Sequence, residues 1–131
     1  MKITKQEDYA ILFLAVLASR PRDHWSLTKI SDDFNLPYAF LKKIALELKL
    51  AGLVQSKEGV GGGYKIAIPA NEVTLLEIIE AFQGRVAIVD CADDRYCPAE
   101  SVCLASQTLK QVNRQLRQLL SGVKLSDMLP A

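Results

Sequence analysis

Three cysteines, Cys91, Cys97 and Cys103, are the residues of this chain best suited to chemistry, and they are all the cysteines it has. Five residues separate the first two, and five more separate the second pair. An odd count leaves one thiol over in any disulfide scheme, and clustered thiols in a reducing compartment favour metal or redox roles. Thiolates select zinc, copper(I) and iron–sulfur clusters. Structural zinc usually shows close Cys-x-x-Cys knuckles and four protein ligands. Here the gaps are wide, so the loop wraps around something larger than one ion. An iron–sulfur cluster needs four ligands, and three thiols leave one position to an oxygen, a nitrogen or a small molecule. Asp90, Asp93, Asp94 and Glu100 surround the thiols against one Arg95; that acidity would lower a reduction potential.

The elements that hold this loop can be read on either side of it. Thr4-Lys5-Gln6-Glu7 is a capping box. A largely buried helix should follow from about Lys5 to Ala18, with Asp8 in its first turn, where the helix dipole favours a carboxylate. Arg20 to Trp25 is a loop holding the only histidine, His24, which reads as a solvated side chain. Ser26 can cap a helix over Leu27 to Phe34, with Leu27, Ile30 and Phe34 on one face. Asn35-Leu36-Pro37 is a turn. A helix from Tyr38 to Ala51 follows, with Leu41, Ile44, Ala45 and Leu48 inward and Gly52 as its stop. Two helices joined by a tight turn, the second with a basic outer face, form a helix-turn-helix.

Leu53–Lys57 and Tyr64–Ile68 read as strands around a glycine-rich hairpin, Glu58 to Gly63. A phosphate loop is excluded, because no helix with a Lys-Ser/Thr start follows. The sum is a winged helix, whose glycines, Gly61 and Gly62 among them, let the backbone approach a sugar-phosphate rail. A protein-binding module is the alternative use of that fold. On the first reading Tyr38, Lys42 and Lys43 face the major groove, and Thr28, Lys29 and Lys57 meet phosphates.

Thr74-Leu75-Leu76-Glu77 is a second capping box, opening a helix that ends near Gly84. Val86 to Val89 is a short apolar strand or extended segment. A long helix is expected over Ser101 to Leu120, with Val102, Ala105, Leu109, Val112, Leu116, Leu119 and Val123 as a heptad seam. Such a seam on a terminal helix favours a homodimer over an intramolecular core helix. Ser126 to Leu129 adds a closing turn.

The expected fold class is mainly α with a small β wing: a winged helix-turn-helix domain over residues 1–70, then a cluster-binding loop and long dimerisation helix over 71–131. Half the residues are hydrophobic, 24% are charged, and the net charge is +1. Residues 1–70 carry ten Lys/Arg against seven Asp/Glu, and 71–131 carry six against eight, which permits a nucleic-acid face in the first part. No signal peptide or membrane-length apolar run is evident, so a cytoplasmic protein is expected. No nucleophile–base pair or cofactor fingerprint suggests an enzyme.

The segments MKITKQEDYAI, NLPYAFLKKIALELKLAGLV, EGVGGGY and TLLEIIEAFQG, with the C-x5-C-x5-C loop, resemble the winged-helix iron–sulfur repressors of the IscR, NsrR and RirA type over nearly the whole chain. The resemblance implies a promoter-binding dimer with crossed long helices and one iron–sulfur cluster (2Fe-2S or 4Fe-4S) per subunit, responding to redox state, nitric oxide or cluster supply. IscR-type members place a histidine three residues after the last cysteine, where this chain has Ser106. NsrR-type members use an acidic residue of the first helix, which matches Asp8, donated by the partner subunit. Relatives often carry arginine where this wing has Glu58. A DNA-binding protein with structural zinc, or a cluster-free thiol switch, is the alternative.

Overall fold

Helices in this chain begin where a side chain can satisfy orphan amides. In the computed structural model, which describes residues 2–130, helix α1 spans Lys5–Ser19. The Thr4 hydroxyl accepts from the Glu7 amide and the Glu7 carboxylate accepts from the Thr4 amide at 2.6 Å. Ser26 opens α2, Leu27–Phe34, by accepting from Lys29 N–H at 3.0 Å. Thr74 and Glu77 form the same reciprocal box at the start of α4, Leu75–Gln83. Each such cap contributes about 1 kcal/mol. Between them lie α3, Tyr38–Leu50, and the antiparallel strands β1, Val54–Lys57, and β2, Gly63–Ile66. Two 3-10 turns, Asp90–Asp93 and Leu125–Met128, flank α5, Ser106–Gly122.

Helix α1 is the hub. Ala10, Phe13, Leu14 and Leu17 are fully buried. They pack in one core with Ile30 of α2, Leu41, Ile44, Ala45 and Leu48 of α3, and Val54 and Ile66 of the strands. The same core takes in Val73, Ile78 and Leu125 from the second half of the chain. Leu125 N–H donates to Val73 C=O at 2.8 Å, and Leu75 N–H donates to Val123 C=O at 2.9 Å. The C-terminal turn is thereby stitched beside α4.

The strands pair Val54 with Ile66 through Lys57 with Gly63. They are shorter than the expected runs. A separate bridge comes from the preceding loop, where Trp25 and Tyr64 exchange both backbone hydrogen bonds, at 2.7 and 2.8 Å. Gly63 sits at φ +139, and a Cβ there would run into the Trp25 carbonyl. Glycine is required because the wing's base lies directly on that loop.

Two expectations change and one alternative is decided. Phe34 is 41% exposed rather than inward: Asn35 reverses the chain at φ +52, and Leu36 fills the buried slot instead. The segment Val86 to Val89 pairs with no strand; the Val86 and Ile88 amides donate to side chains instead. The last long helix starts at Ser106, not Ser101. Successive turns, Glu100 N–H to Cys97 C=O and Val102 N–H to Ala99 C=O, take up the backbone before it, leaving Val102 76% exposed and off the helix.

Among the described residues no helix is long and apolar enough to cross a membrane. Because Leu125 is fully buried at the point where the chain's end meets the hub, Leu125→Ala should lower unfolding free energy by about 2–4 kcal/mol. Urea denaturation measures it, and a change within error would mean the terminal turn is not part of the core.

Candidate thiol site and nucleic-acid face

Cys91 rides on the Asp90–Asp93 turn, and Cys97 and Cys103 come from the turns that follow. All three line one hollow of about 390 Å³, together with Ile88, Val89 and Leu109. Cys91 and Cys97 are half-buried, Cys103 is exposed, and all three are free thiols. Ser106, the first residue of α5, is buried in the same wall, and its hydroxyl donates to the Cys91 sulfur at 3.9 Å. Asp90 and Glu100 stand at the rim. Among the described residues no three His, Cys, Asp or Glu side chains stand close enough to hold a single metal ion. Three thiols around one hollow are soft donors of the kind that thiophilic metals and clusters take.

Side chains, not strand pairing, hold the loop that bears the thiols. Val86 N–H donates to Glu80 Oε2 at 2.8 Å. Arg117 of α5 donates to the same oxygen at 2.8 Å and to Val86 C=O at 3.1 Å. Asn113, buried on α5, accepts from Ile88 N–H at 2.8 Å. Burial opposes ionisation of Glu80, but the Arg117 and Val86 hydrogen bonds and the charges of Arg117 and Arg85 outweigh it, holding the carboxyl below its ordinary pKa. At the far end Lys110 pairs with Glu100 at 2.8 Å. That hydrogen bond and charge hold the ammonium above its usual pKa.

The acidity expected around the thiols is partly cancelled. Asp93 is clamped by Arg85 at 3.4 Å and Arg95 at 3.1 Å, and Lys110 answers Glu100. Arg85 and Lys110 lie on other elements, so counting charges within the loop missed them. Asn113 and the Glu80–Arg117 pair were missed too; no local pattern marks such long-range partners.

Asp8 is exposed on the first turn of α1, in a shallow hollow with Lys2 to Lys5, and is not among the residues lining the thiol hollow. Within one chain the fold does not bring it to the cysteines. His24 is half-buried in its loop and joins no such group.

On the opposite end of the chain, Thr28, Lys29, Tyr38, Lys42, Lys43, Lys57 and Gly61 are exposed, and Gly62 is half-buried. Tyr38 opens α3, and Lys42 and Lys43 follow one turn on. The Lys29 ammonium lies 5.8 Å from the Trp25 ring centre, a cation–π contact that steadies it beside the wing. At Gly62 an added Cβ would collide with the Lys57 carbonyl, so the hairpin closes only with glycine there.

Glu80 titrates below its unfolded value, so its contribution is present above the ordinary carboxylate range and is lost as pH falls through the folded pKa. Glu80→Gln should cost about 1 kcal/mol at neutral pH, given partial exposure, and the gap from the parent protein should close under acid. Unfolding curves across that pH range check it; a pH-independent gap would show the carboxylate's charge to be irrelevant.

The Rrf2 family model, described as an iron-dependent transcriptional regulator, matches residues 3–131. The HTH-type transcriptional regulator NsrR of Halalkalibacterium halodurans is 26% identical over 98% of this chain and 90% of its own length. Protein aau3 of Rhizobium meliloti is 28% identical over 100% of this chain and 86% of its own. The structure of CymR, the global cysteine regulator of B. subtilis, superposes with a TM-score of 0.76 at 25% identity, covering 98% of this chain and 95% of that one. With its helix-turn-helix, its glycine-tipped wing and a match over nearly its full length, this chain belongs to the Rrf2 family of DNA-binding transcriptional regulators and is not an enzyme.

Proposed function

We propose that this regulator is a repressor that works as a homodimer, and that an iron–sulfur cluster (2Fe-2S or 4Fe-4S) governs its hold on promoter DNA. The observation that carries the reading is that all three thiols line one hollow. Cys91, Cys97 and Cys103 would hold the cluster, with Asp8 of the partner subunit as fourth ligand. When bound, such a group supplies a centre that reacts to oxidants, nitric oxide or iron shortage.

The chain's own residues do the rest. Val112 and Leu119 on α5 are 43% and 67% exposed, while Ser106, Asn113 and Leu120 take the helix's inward face. Of the expected seam, Ala105, Val112 and Leu119 are exposed and Leu109 is half-buried, while Leu116 packs on the chain's own core and Val123 lies past the helix end; a second copy of α5 is the partner the exposed members' spacing fits. Leu109 belongs both to that seam and to the wall of the thiol hollow. Covering the seam therefore closes one side of the thiol site and fixes the spacing of the two recognition helices. Tyr38, Lys42 and Lys43 would then enter the major groove, while Thr28, Lys29, Lys57 and the backbone at Gly61 and Gly62 meet phosphates.

Anaerobic absorption and native mass spectrometry of the purified protein test this together. A brown dimer carrying iron and sulfide is expected, and Asp8→Ala should change its spectrum or its response to nitric oxide. A colourless dimer overturns the cluster. If its DNA binding follows thiol oxidation, the cluster-free switch takes its place; bound zinc would assign a structural metal instead.

Lys42→Ala and Lys43→Ala should each weaken operator binding and reduce the salt slope by about one. Unchanged affinity in both would remove α3 as the recognition helix.

A further inference from the structure

Helix α5 lines a second hollow, of about 380 Å³, whose walls carry Arg85, Lys110, Arg114 and Arg117, with Asn113 and Asp94. Three of these cations stand on α5 itself, at spacings of four and three. Like charges at those spacings repel across the helix surface. Lys110 is answered by Glu100, Arg117 by Glu80 and Arg85 by Asp93. Arg114 has no carboxylate partner among the described residues, and Asp94 is the only described acid in the walls. The hollow is therefore concave and holds one guanidinium, that of Arg114, with no carboxylate partner among the described residues.

Its position matters as much as its charge. At about 100° per residue, the stripe of Lys110, Arg114 and Arg117 lies roughly 150° around α5 from the seam of Leu109, Val112, Leu116 and Leu119. Pairing through the seam would leave it open. Neither α3 nor the wing contributes to the walls, so it is not an extension of the DNA face. The facing wall includes Ala92 and Asp94, on the back of the turn that carries Cys91.

We propose that this hollow binds a small anion bearing two or more negative charges on phosphate or carboxylate groups, with Arg114 as its main guanidinium contact. Planar guanidinium forks match both groups in paired hydrogen bonds. Lys110 supplies a point charge beside it, and Asn113 and Arg117 form the floor. An anion seated there pairs with the one unanswered guanidinium and contacts the wall carried by the cysteine-bearing turn, so it stabilises the folded state. The site goes beyond the proposed function and holds whether or not a cluster is bound.

The test uses the full chain and two probes, inorganic phosphate and succinate, with sodium chloride at matched ionic strength as the control. Calorimetry should show saturable binding of one anion per chain and a matching rise in melting temperature. Phosphate alone would assign a phosphoryl ligand, succinate alone a carboxylate ligand, and both a site that reads charge and shape only. Arg114→Gln, at an exposed position, should melt like the parent without anion and bind about tenfold more weakly. Failure of both anions to saturate, or equal binding by Arg114→Gln, overturns the proposal. So does an Arg114→Gln variant that loses only DNA affinity, since Arg114 would then serve a phosphodiester backbone.

Discussion

Helix α5 is fastened to its own chain by a small apolar cluster, Leu116 and Leu120 against Ile79 and Val86, and by polar contacts that fix its register. Of its residues only Ser106, Asn113 and Leu120 are buried, and two of those are polar. Arg117 bridges to Glu80 on α4 and to the Val86 carbonyl, while Asn113 accepts from Ile88. Apolar packing tolerates a slide of one side chain over another. Hydrogen bonds between fixed donors and acceptors do not, because they weaken steeply with angle and distance. The register of α5 against the segment before the cysteines is therefore set by these bonds. With it are set the places of Ser106 and Leu109 in the wall of the thiol hollow. Val112 and Leu119 are left facing outward.

The hub couples that assembly to the recognition helix. Helix α1 packs against α3, α4, β2 and the C-terminal turn at once, and α4 in turn carries Glu80. Interiors of this density do not deform smoothly; they shift between discrete packings. Helix α4 touches both cores, with Ile78 in the one that holds Leu41, Ile44 and Leu48 and Ile79 in the small one beneath α5. No flexible linker interrupts the path, since Val73 and Ile78 belong to the same core as Phe13 and Leu14.

Local signals in the sequence were enough for most of the fold. Both capping boxes, the Ser26 cap, the inward stripe of α3 and the Gly52 stop lie within a few residues of what they govern. Their physics is short-range, so they are legible. The misreadings share the opposite property. Phe34 had the right spacing to be buried, but its place was taken by Leu36 once Asn35 turned the chain. Val102 fitted the heptad, but the turns that aim the cysteines broke the helix before it. At the site, the three thiols announced themselves by spacing alone. The charge balance around them did not, because Arg85 and Lys110 come from α4's exit and α5. The pairing of Trp25 with Tyr64 likewise joins residues far apart in the chain.

Read as the proposed cluster site, the thiol hollow is incomplete in two ways that point the same way. It offers three sulfur donors where a cluster takes four ligands, and Cys103, next to a fully exposed Leu104, lies open to water. A chain that bound its cluster alone would be expected to wrap such a loop with its own side chains, since water at the sulfurs shifts potential and stability. Here Val112 and Leu119 instead project outward from the helix that borders it. Leu109 is the meeting point, half in the hollow and half in the seam. A second chain docked on that seam would bring both the cover and, through the exposed first turn of its α1, a carboxylate. On this arrangement site assembly and subunit pairing are one equilibrium, so whatever empties the hollow acts on the dimer that spaces the two recognition helices.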